Sequence, residues 1–293
     1  MPTTYEFEGS VLSSSYCELG EGPSFEAETS TLWWFDILGK ALHELHLPTG
    51  REIVHRLPFM GSVVAAIDAE RQLIASDKGL FIRNRSNNEL TPYVELEPEK
   101  PGNRSNDGRV HPSGSLWIGT MGKKAEDGAG AIYHVRQGVV TKLFDRISIP
   151  NSICFSPDGA TGYYVDTRVN LMMRVPLDPE TGLPNGESKV FVDENGKPGG
   201  IDGSICAADG TIWNARWGAG AVDHYSEDGV HLARYNIPAR RTTCPAVIGE
   251  GRMAVTSSWE GLDEAARKAD PQAGGLFEIA VPVIAEPEPA YIH

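Results

Sequence analysis

Pro112-Ser-Gly-Ser-Leu-Trp-Ile-Gly-Thr120 joins a turn to a short strand. Pro112, Ser113 and Gly114 supply turn chemistry, and Leu116 to Thr120 is a short apolar run of strand type. The same unit, a turn and then a strand, recurs along the chain. Upstream it reads Glu28-Thr-Ser-Thr-Leu-Trp-Trp-Phe-Asp36 and Ala69-Glu-Arg-Gln-Leu-Ile-Ala-Ser-Asp77. Downstream it reads Pro157-Asp-Gly-Ala-Thr-Gly-Tyr-Tyr-Val-Asp-Thr167, Ala208-Asp-Gly-Thr-Ile-Trp-Asn-Ala215 and Gly249-Glu-Gly-Arg-Met-Ala-Val-Thr256. Taking the first apolar residue of each strand as an anchor gives Leu32, Leu73, Leu116, Tyr163, Ile212 and Met253, spaced 41, 43, 47, 49 and 41 residues apart.

A period of this length made of short strands is the signature of propeller blades of four strands each. Each copy continues into a second turn and strand, as in Gly39-Lys-Ala-Leu-His-Glu-Leu45 and Gly130-Ala-Ile-Tyr-His-Val135. A single blade cannot bury both faces, so six must close into a ring. The predicted fold is therefore all-β: a six-bladed β-propeller with four-stranded antiparallel blades around a central, metal-bearing channel. A barrel or a sandwich would not explain six copies at this spacing. One domain is expected over 1–293, with a Pro/Glu-rich tail from about 286 and a short helix within Gly261 to Asp270 inserted in the last blade.

Composition agrees. The 293 residues are 40% apolar, enough for a full core, and the 32 Gly and 20 Pro favour turns over long helices. A formal net charge of −14 argues against a nucleic-acid partner, which needs a basic face. No apolar run approaches a membrane span, and the N-terminal Met1-Pro-Thr-Thr-Tyr-Glu-Phe-Glu8 has neither the basic nor the apolar region of a signal peptide. Cys17, Cys154, Cys206 and Cys244 are far apart and form no CxxC pair. They are expected as reduced thiols, two or three of them on core strands, in a cytoplasmic protein.

Upstream of four anchors stands a polar residue in a turn-prone context. Glu21 lies 11 residues before Leu32, Asn106 lies 10 before Leu116, Asn151 lies 12 before Tyr163 and Asp202 lies 10 before Ile212. In a propeller this position falls on the innermost strand, beside the axial channel, so four residues remote in sequence are expected to converge. Two carboxylates and one or two carboxamide oxygens make an all-oxygen site of low charge. That suits a hard divalent cation such as Ca²⁺, Mg²⁺ or Mn²⁺, with waters filling open positions. Each residue taken alone would be an ordinary turn residue; the common spacing is what marks a site. Arg104, Asn106 and Asp107 are further polar groups in Gly102-Asn-Arg-Ser-Asn-Asp-Gly108, just before a hydrophobic strand.

Competing chemistry is thin. The eight histidines show no HExxH spacing, and His43 and His46 are expected on the surface. No GxSxG elbow, P-loop or dinucleotide fingerprint stands in a suitable context. Gly218-Ala-Gly220 is expected as a hairpin turn, most tryptophans as strand core, and Trp217 beside Arg216 as strand core or a border of the channel mouth.

At these residues the chain resembles the senescence-marker-protein/gluconolactonase family, which includes regucalcin and the bacterial sugar lactonases. The resemblance rests on an ordered set of pieces. These are Leu19-Gly-Glu-Gly-Pro23, Gly102-Asn-Arg-Ser-Asn-Asp-Gly-Arg109 with Trp117-Ile-Gly-Thr-Met121, and Ile149-Pro-Asn151 with Phe155-Ser-Pro-Asp-Gly159. Asp202-Gly203 with Trp213-Asn-Ala-Arg-Trp-Gly218 follows, and then Thr243-Cys-Pro-Ala246, Val255-Thr-Ser257 and Ala273-Gly-Gly-Leu-Phe277. The resemblance implies a six-bladed propeller with Glu21, Asn151 and Asp202 as metal ligands, Asp202 also as general base, and Arg104 and Asn106 as the substrate-binding pair. Related phosphotriesterases use an asparagine like Asn106 as a further metal ligand. Two departures concern the substrate. Gly122-Lys-Lys-Ala-Glu126 stands where regucalcin has an acidic contact, and Asp223-His224 stands where a basic residue is common in the family.

The expected activity is metal-dependent hydrolysis of a sugar (aldono-) lactone to the aldonic acid. The metal polarises the carbonyl, and Asp202 or metal-activated water takes the base or nucleophile role. Ca²⁺ leads among the cations, with Zn²⁺, Mn²⁺ and Mg²⁺ also able to accept oxygen ligands. The expected partner is a small-molecule sugar lactone, with no nucleic acid and no membrane. A phosphotriesterase-like hydrolase and a calcium-binding regulatory propeller are the rival readings.

Overall fold

The computed structural model describes residues 2–284 and 286–293. Among them the chain forms six sheets in a ring, a six-bladed β-propeller. Every anchor falls on the second strand of its sheet. Leu32 is on β4 (Thr31–Asp36), Leu73 on β8 (Arg71–Ser76), Leu116 on β12 (Leu116–Gly122), Tyr163 on β16 (Thr161–Asp166), Ile212 on β20 (Ile212–Trp217) and Met253 on β24 (Arg252–Ser257). The first strands are β3 (Gly20–Glu26), β7 (Gly61–Ala66), β11 (Asn103–Val110), β15 (Pro150–Phe155), β19 (Gly200–Cys206) and β23 (Thr242–Gly249). Each touches the first strand of the next sheet, so together they wall the axial channel.

The apolar runs explain the layering. A second strand is covered by blades on both sides, so it carries no polar face: all of β12 is buried. Trp117 and Ile132 of the third blade pack on Ile153, Phe155, Tyr164, Val175 and Leu177 of the fourth. The outermost strands alternate and meet solvent, as in β6 (Arg51–Arg56).

The ring closes through the chain's beginning. The last blade has β23, β24 and β25 (Phe277–Ala280); its fourth strand is β2 (Ser10–Val11), antiparallel to β25 with Ser10 opposite Glu278 and Val11 opposite Phe277. The fifth blade has five strands, because β1 (Thr3–Tyr5) adds in parallel to β22 (His231–Asn236). Helix α1 (Glu264–Ala269) sits between β24 and β25, with the Asp263 side chain accepting from Ala266 N.

Two details of the expected layout change. His43 is buried, not on the surface: its ring stacks on Trp34 at 4.7 Å and its Nδ1 lies 3.3 Å from Glu52 Oε1. The Pro/Glu-rich tail has no strand or helix but is packed on the ring. Tyr291 is buried and donates its N–H to Ala66 O at 2.8 Å, and Ile292 N donates to Gly114 O at 2.9 Å. All four cysteines are free, three of them on first strands.

Candidate functional site

Every first strand breaks register with its second strand at the same level of the ring. The breaks fall between Glu21 and Ser24, Gly61 and Val63, Ser105 and Gly108, Asn151 and Cys154, Ile201 and Ser204, and Thr242 and Pro245. In a regular strand successive side chains point to opposite faces; a bulge re-aims them. The four polar residues therefore do not share one position. Glu21 and Asn151 are the last paired residues before their bulges, whereas Asn106 and Asp202 are the first residues inside theirs. Near-equal sequence offsets hid this because the residue after the bulge pairs with Trp33, Ile118, Tyr163 or Asn214, which stand at different distances from the anchors. In the second and sixth blades the bulges carry Ser62 and Thr243-Cys244, which bring no carboxylate.

Carboxylates at the ends of second strands fix the chain as it enters the channel. Asp36 accepts from Glu18 N and Leu19 N, both at 3.1 Å, just ahead of Glu21. Asp166 accepts from Ser148 N at 2.8 Å and Ile149 N at 3.0 Å, just ahead of Asn151. Gly22 follows Glu21 with φ of 55°, and a β-carbon there would overlap the Ser62 carbonyl oxygen. Only glycine meets both demands.

Arg104, Asn106 and Asn151 form one hydrogen-bonded chain. Arg104 Nη1 donates to Asn106 Oδ1 at 2.7 Å and to Ser105 O at 2.9 Å. Asn106 Nδ2 donates to Asn151 Oδ1 and to Pro150 O, both at 2.9 Å. Asn151 Nδ2 donates to Thr167 Oγ1 at 2.9 Å, and that hydroxyl donates to Ile201 O at 2.7 Å, one residue before Asp202. Glu21 and Asp202 form the other half: the two carboxyls are near enough to interact electrostatically, and Glu21 Oε2 accepts Gly22 N at 3.0 Å. All five residues are buried.

Charge in this half is unbalanced. Burial, then the charge of Asp107, pushes the Glu21 carboxyl well above the usual carboxylate range. Burial, then Glu21 and Asp107, does the same to Asp202. Burial also lowers the guanidinium pKa of Arg104, which is opposed by the acids around it. Asp107 is raised to about 6, chiefly by burial, but its oxygens are spent: they accept Ile153 N at 2.7 Å and Gly108 N at 2.8 Å. It pins the third blade to the fourth beneath the site. Among the described residues no group of three or more His, Cys, Asp and Glu is arranged to hold a metal ion. The donors here are two carboxylates and a carboxamide, which lack positive charge and fit a hard oxygen-seeking cation that keeps some waters.

Asp107 and Thr167 are the contributors that spacing did not single out. Asp107 follows Asn106 directly, and two adjacent polar residues on a buried strand are themselves a sign of a bulge. The other end of the channel is separate. There Arg109 pairs with Glu288 at 2.5 Å, beside a cavity of about 210 Å³ that shares no residue with the site above.

The chain matches the family described as "SMP-30/Gluconolactonase/LRE-like region" over residues 19–259. A protein of Rhizobium meliloti strain 1021, provisionally named a sugar lactone lactonase, is 58% identical over 287 residues, covering 97% of each chain. An L-arabinolactonase of Azospirillum brasilense is 32% identical over 279 residues, 92% of this chain and 91% of the other. The crystal structure of a calcium-binding protein, regucalcin, from Agrobacterium tumefaciens strain C58 matches with a TM-score of 0.98 at 59% identity, with both chains covered in full.

Proposed function

Because the chain belongs to the SMP-30/gluconolactonase/LRE-like family, we propose that it hydrolyses the ring ester of a sugar lactone to the open-chain acid at the channel mouth, with one divalent metal ion. The observation that supports this reading is the interacting pair of buried carboxyls, Glu21 and Asp202, whose ionisation burial opposes and which have a carboxamide network beside them. Glu21, Asn151 and Asp202 are the residues that would hold the ion, Ca²⁺ first among the candidates. Bound there, it would supply positive charge against the oxyanion that develops on the lactone carbonyl.

The remaining work falls to the chain. Arg104 and Asn106 bind and orient the sugar ring. The bond from Arg104 Nη1 to Asn106 Oδ1 fixes the plane of the guanidinium, leaving its other N–H groups for substrate oxygens. Asp202, ionised, takes a proton from the attacking water as its oxygen bonds to the carbonyl carbon. When the ring C–O bond breaks, that proton is returned to the departing alkoxide. Thr167, Asn106 and Asn151 hold the carboxamides in one orientation. The four free thiols fit a reducing compartment such as the cytoplasm.

Acid release from a panel of aldonolactones, read with a pH indicator, tests the proposal. Asp202→Asn should lower turnover by about 10²–10⁴-fold, and Arg104→Ala should act mainly by raising KM. Full turnover in Asp202→Asn would remove Asp202 from the mechanism. Metal binding without acid release from any lactone would favour a calcium-binding role, and hydrolysis of a phosphotriester instead would move the substrate class.

A further inference from the structure

Across the channel from Arg104 the sixth blade presents a half-buried carboxylate, Glu260. It lies just beyond the end of β24, on the connection to helix α1. Its backbone is fixed against the segment that leads into Glu21. Ser258 Oγ accepts Glu260 N at 2.9 Å and donates to Glu18 O at 2.6 Å, and Trp259 N donates to the same carbonyl at 3.1 Å. The Arg267 guanidinium of α1 lies 4.3 Å from the centre of the Trp259 ring, which ties the helix to this turn. Among the described residues the Glu260 carboxylate itself makes no hydrogen bond and no ion pair.

Arg104 is its counterpart. The third and sixth blades stand opposite one another in the ring. Burial lowers the Arg104 guanidinium pKa, and the acids that oppose this are led by Glu260, ahead of Glu21, Asp202 and Asp77. The charge of Glu260 also reaches Asp202. The two side chains are thus near enough to act on each other, yet among the described residues no hydrogen bond or ion pair joins them. Arg104 is 7% exposed, and only its Nη1 is bonded, to Asn106 Oδ1 and Ser105 O. Its Nε and Nη2 have no partner among the described residues and are not sealed from the channel. Donors without an acceptor and an acceptor without a donor therefore border the same space, beside Glu21 and Asp202.

We propose that Glu260 is a specificity-determining residue, and that Glu260 and Arg104 grip hydroxyl groups of the lactone ring from opposite sides. This rests on the lactone-hydrolysis reading above and deepens it. A guanidinium only donates hydrogen bonds and a carboxylate only accepts them. A group that joins the two must do both. A sugar hydroxyl does: its O–H donates to a Glu260 oxygen while its lone pairs accept from Arg104 Nε or Nη2. A methylene at the same ring position does neither and leaves both charged groups without a partner. The pair therefore selects hydroxylated lactones over bare rings, and it orients the ester carbonyl toward Glu21 and Asp202.

The test uses the full chain with divalent metal added. It compares kcat/KM for the aldonolactone that is hydrolysed best with kcat/KM for the unsubstituted ring of the same size, δ-valerolactone or γ-butyrolactone. Glu260→Ala should lower the ratio of sugar lactone to bare ring by about tenfold or more, chiefly through the KM of the sugar lactone. Glu260→Gln keeps one accepting oxygen and should lower it less. A role confined to holding the turn, or to the charge felt by Asp202, would move both substrates alike. An unchanged ratio in Glu260→Ala would therefore overturn the inference while leaving lactone hydrolysis intact. Should the bare ring turn over too slowly to compare, the sugar lactone alone decides: KM raised at near-constant kcat supports the pair, and kcat lowered at unchanged KM overturns it. Hydrolysis of no lactone by the unaltered protein would overturn both readings.

Discussion

At Asp202 and Glu21 the fold holds two carboxyls whose ionisation burial opposes, with Glu21 opposing that of Asp202 and Asp107 opposing that of both. The consequence for stability has a definite sign. A carboxyl whose folded pKa is raised contributes stability fully present below the ordinary carboxylate range, and that stability is lost as pH rises through the raised pKa. Metal-free protein should therefore lose thermal stability as pH rises above about 4.5 toward neutrality. A cation that needs both carboxyls ionised binds better over the same interval. The increase in Tm on adding Ca²⁺ should thus grow between pH 5 and pH 8, and a shift independent of pH would contradict the paired arrangement. Glu21, Asn106, Asn151 and Asp202 were legible in the sequence because each stands out against a turn of small residues at a near-constant distance from a strand. Asp107 was not separable there, because its role depends on the amides of Ile153 and Gly108, which no pattern reveals.

The bulge is the element that turns a row of strands into a site. Without it, Glu21 and Gly22, or Ile201 and Asp202, would point to opposite faces of their strands. Gly22→Ala tests this directly. Its left-handed φ and the overlap with the Ser62 carbonyl should cost about 1–3 kcal/mol in chemical denaturation. Turnover should fall with it, because Glu21 must move when its neighbour's backbone moves. Unchanged stability and activity would show that the first-blade bulge is free to relax. Strands were readable from the period of turns and apolar runs, whereas one extra residue in a pairing changes no hydropathy pattern. His43 shows the same limit: Trp34 stacks on its ring and Glu52 pairs with it, and neither contact follows from strand alternation.

The whole ring depends on contacts between the two ends of the chain. Six repeats were countable in the sequence, but the strand that completes the sixth blade was not. Ser10–Val11 is two residues long and shows no periodicity of its own. Its identity follows only from the edge that β25 would otherwise expose. Deleting residues 1–11 removes both β2 and β1 and should lower Tm by several degrees while shifting the protein toward association through the bare edge of β25. An unchanged Tm would mean that the ring closes without its first strand. The C-terminal residues act at another place. Glu288 meets Arg109 at the end of the channel away from Arg104 and the carboxyl pair.

In the proposed reaction, this end of the channel opens lactone rings with the help of a divalent ion held by Glu21, Asn151 and Asp202. It is measured most directly as acid release from aldonolactones by chelator-treated protein, before and after Ca²⁺, Mn²⁺, Mg²⁺ or Zn²⁺ is restored. Stripped protein should release little acid and recover with at least one of these ions, and Glu21→Gln and Asp202→Asn should each prevent that recovery. Full release from the stripped protein, or recovery undiminished by both substitutions, would contradict the metal-assisted reaction.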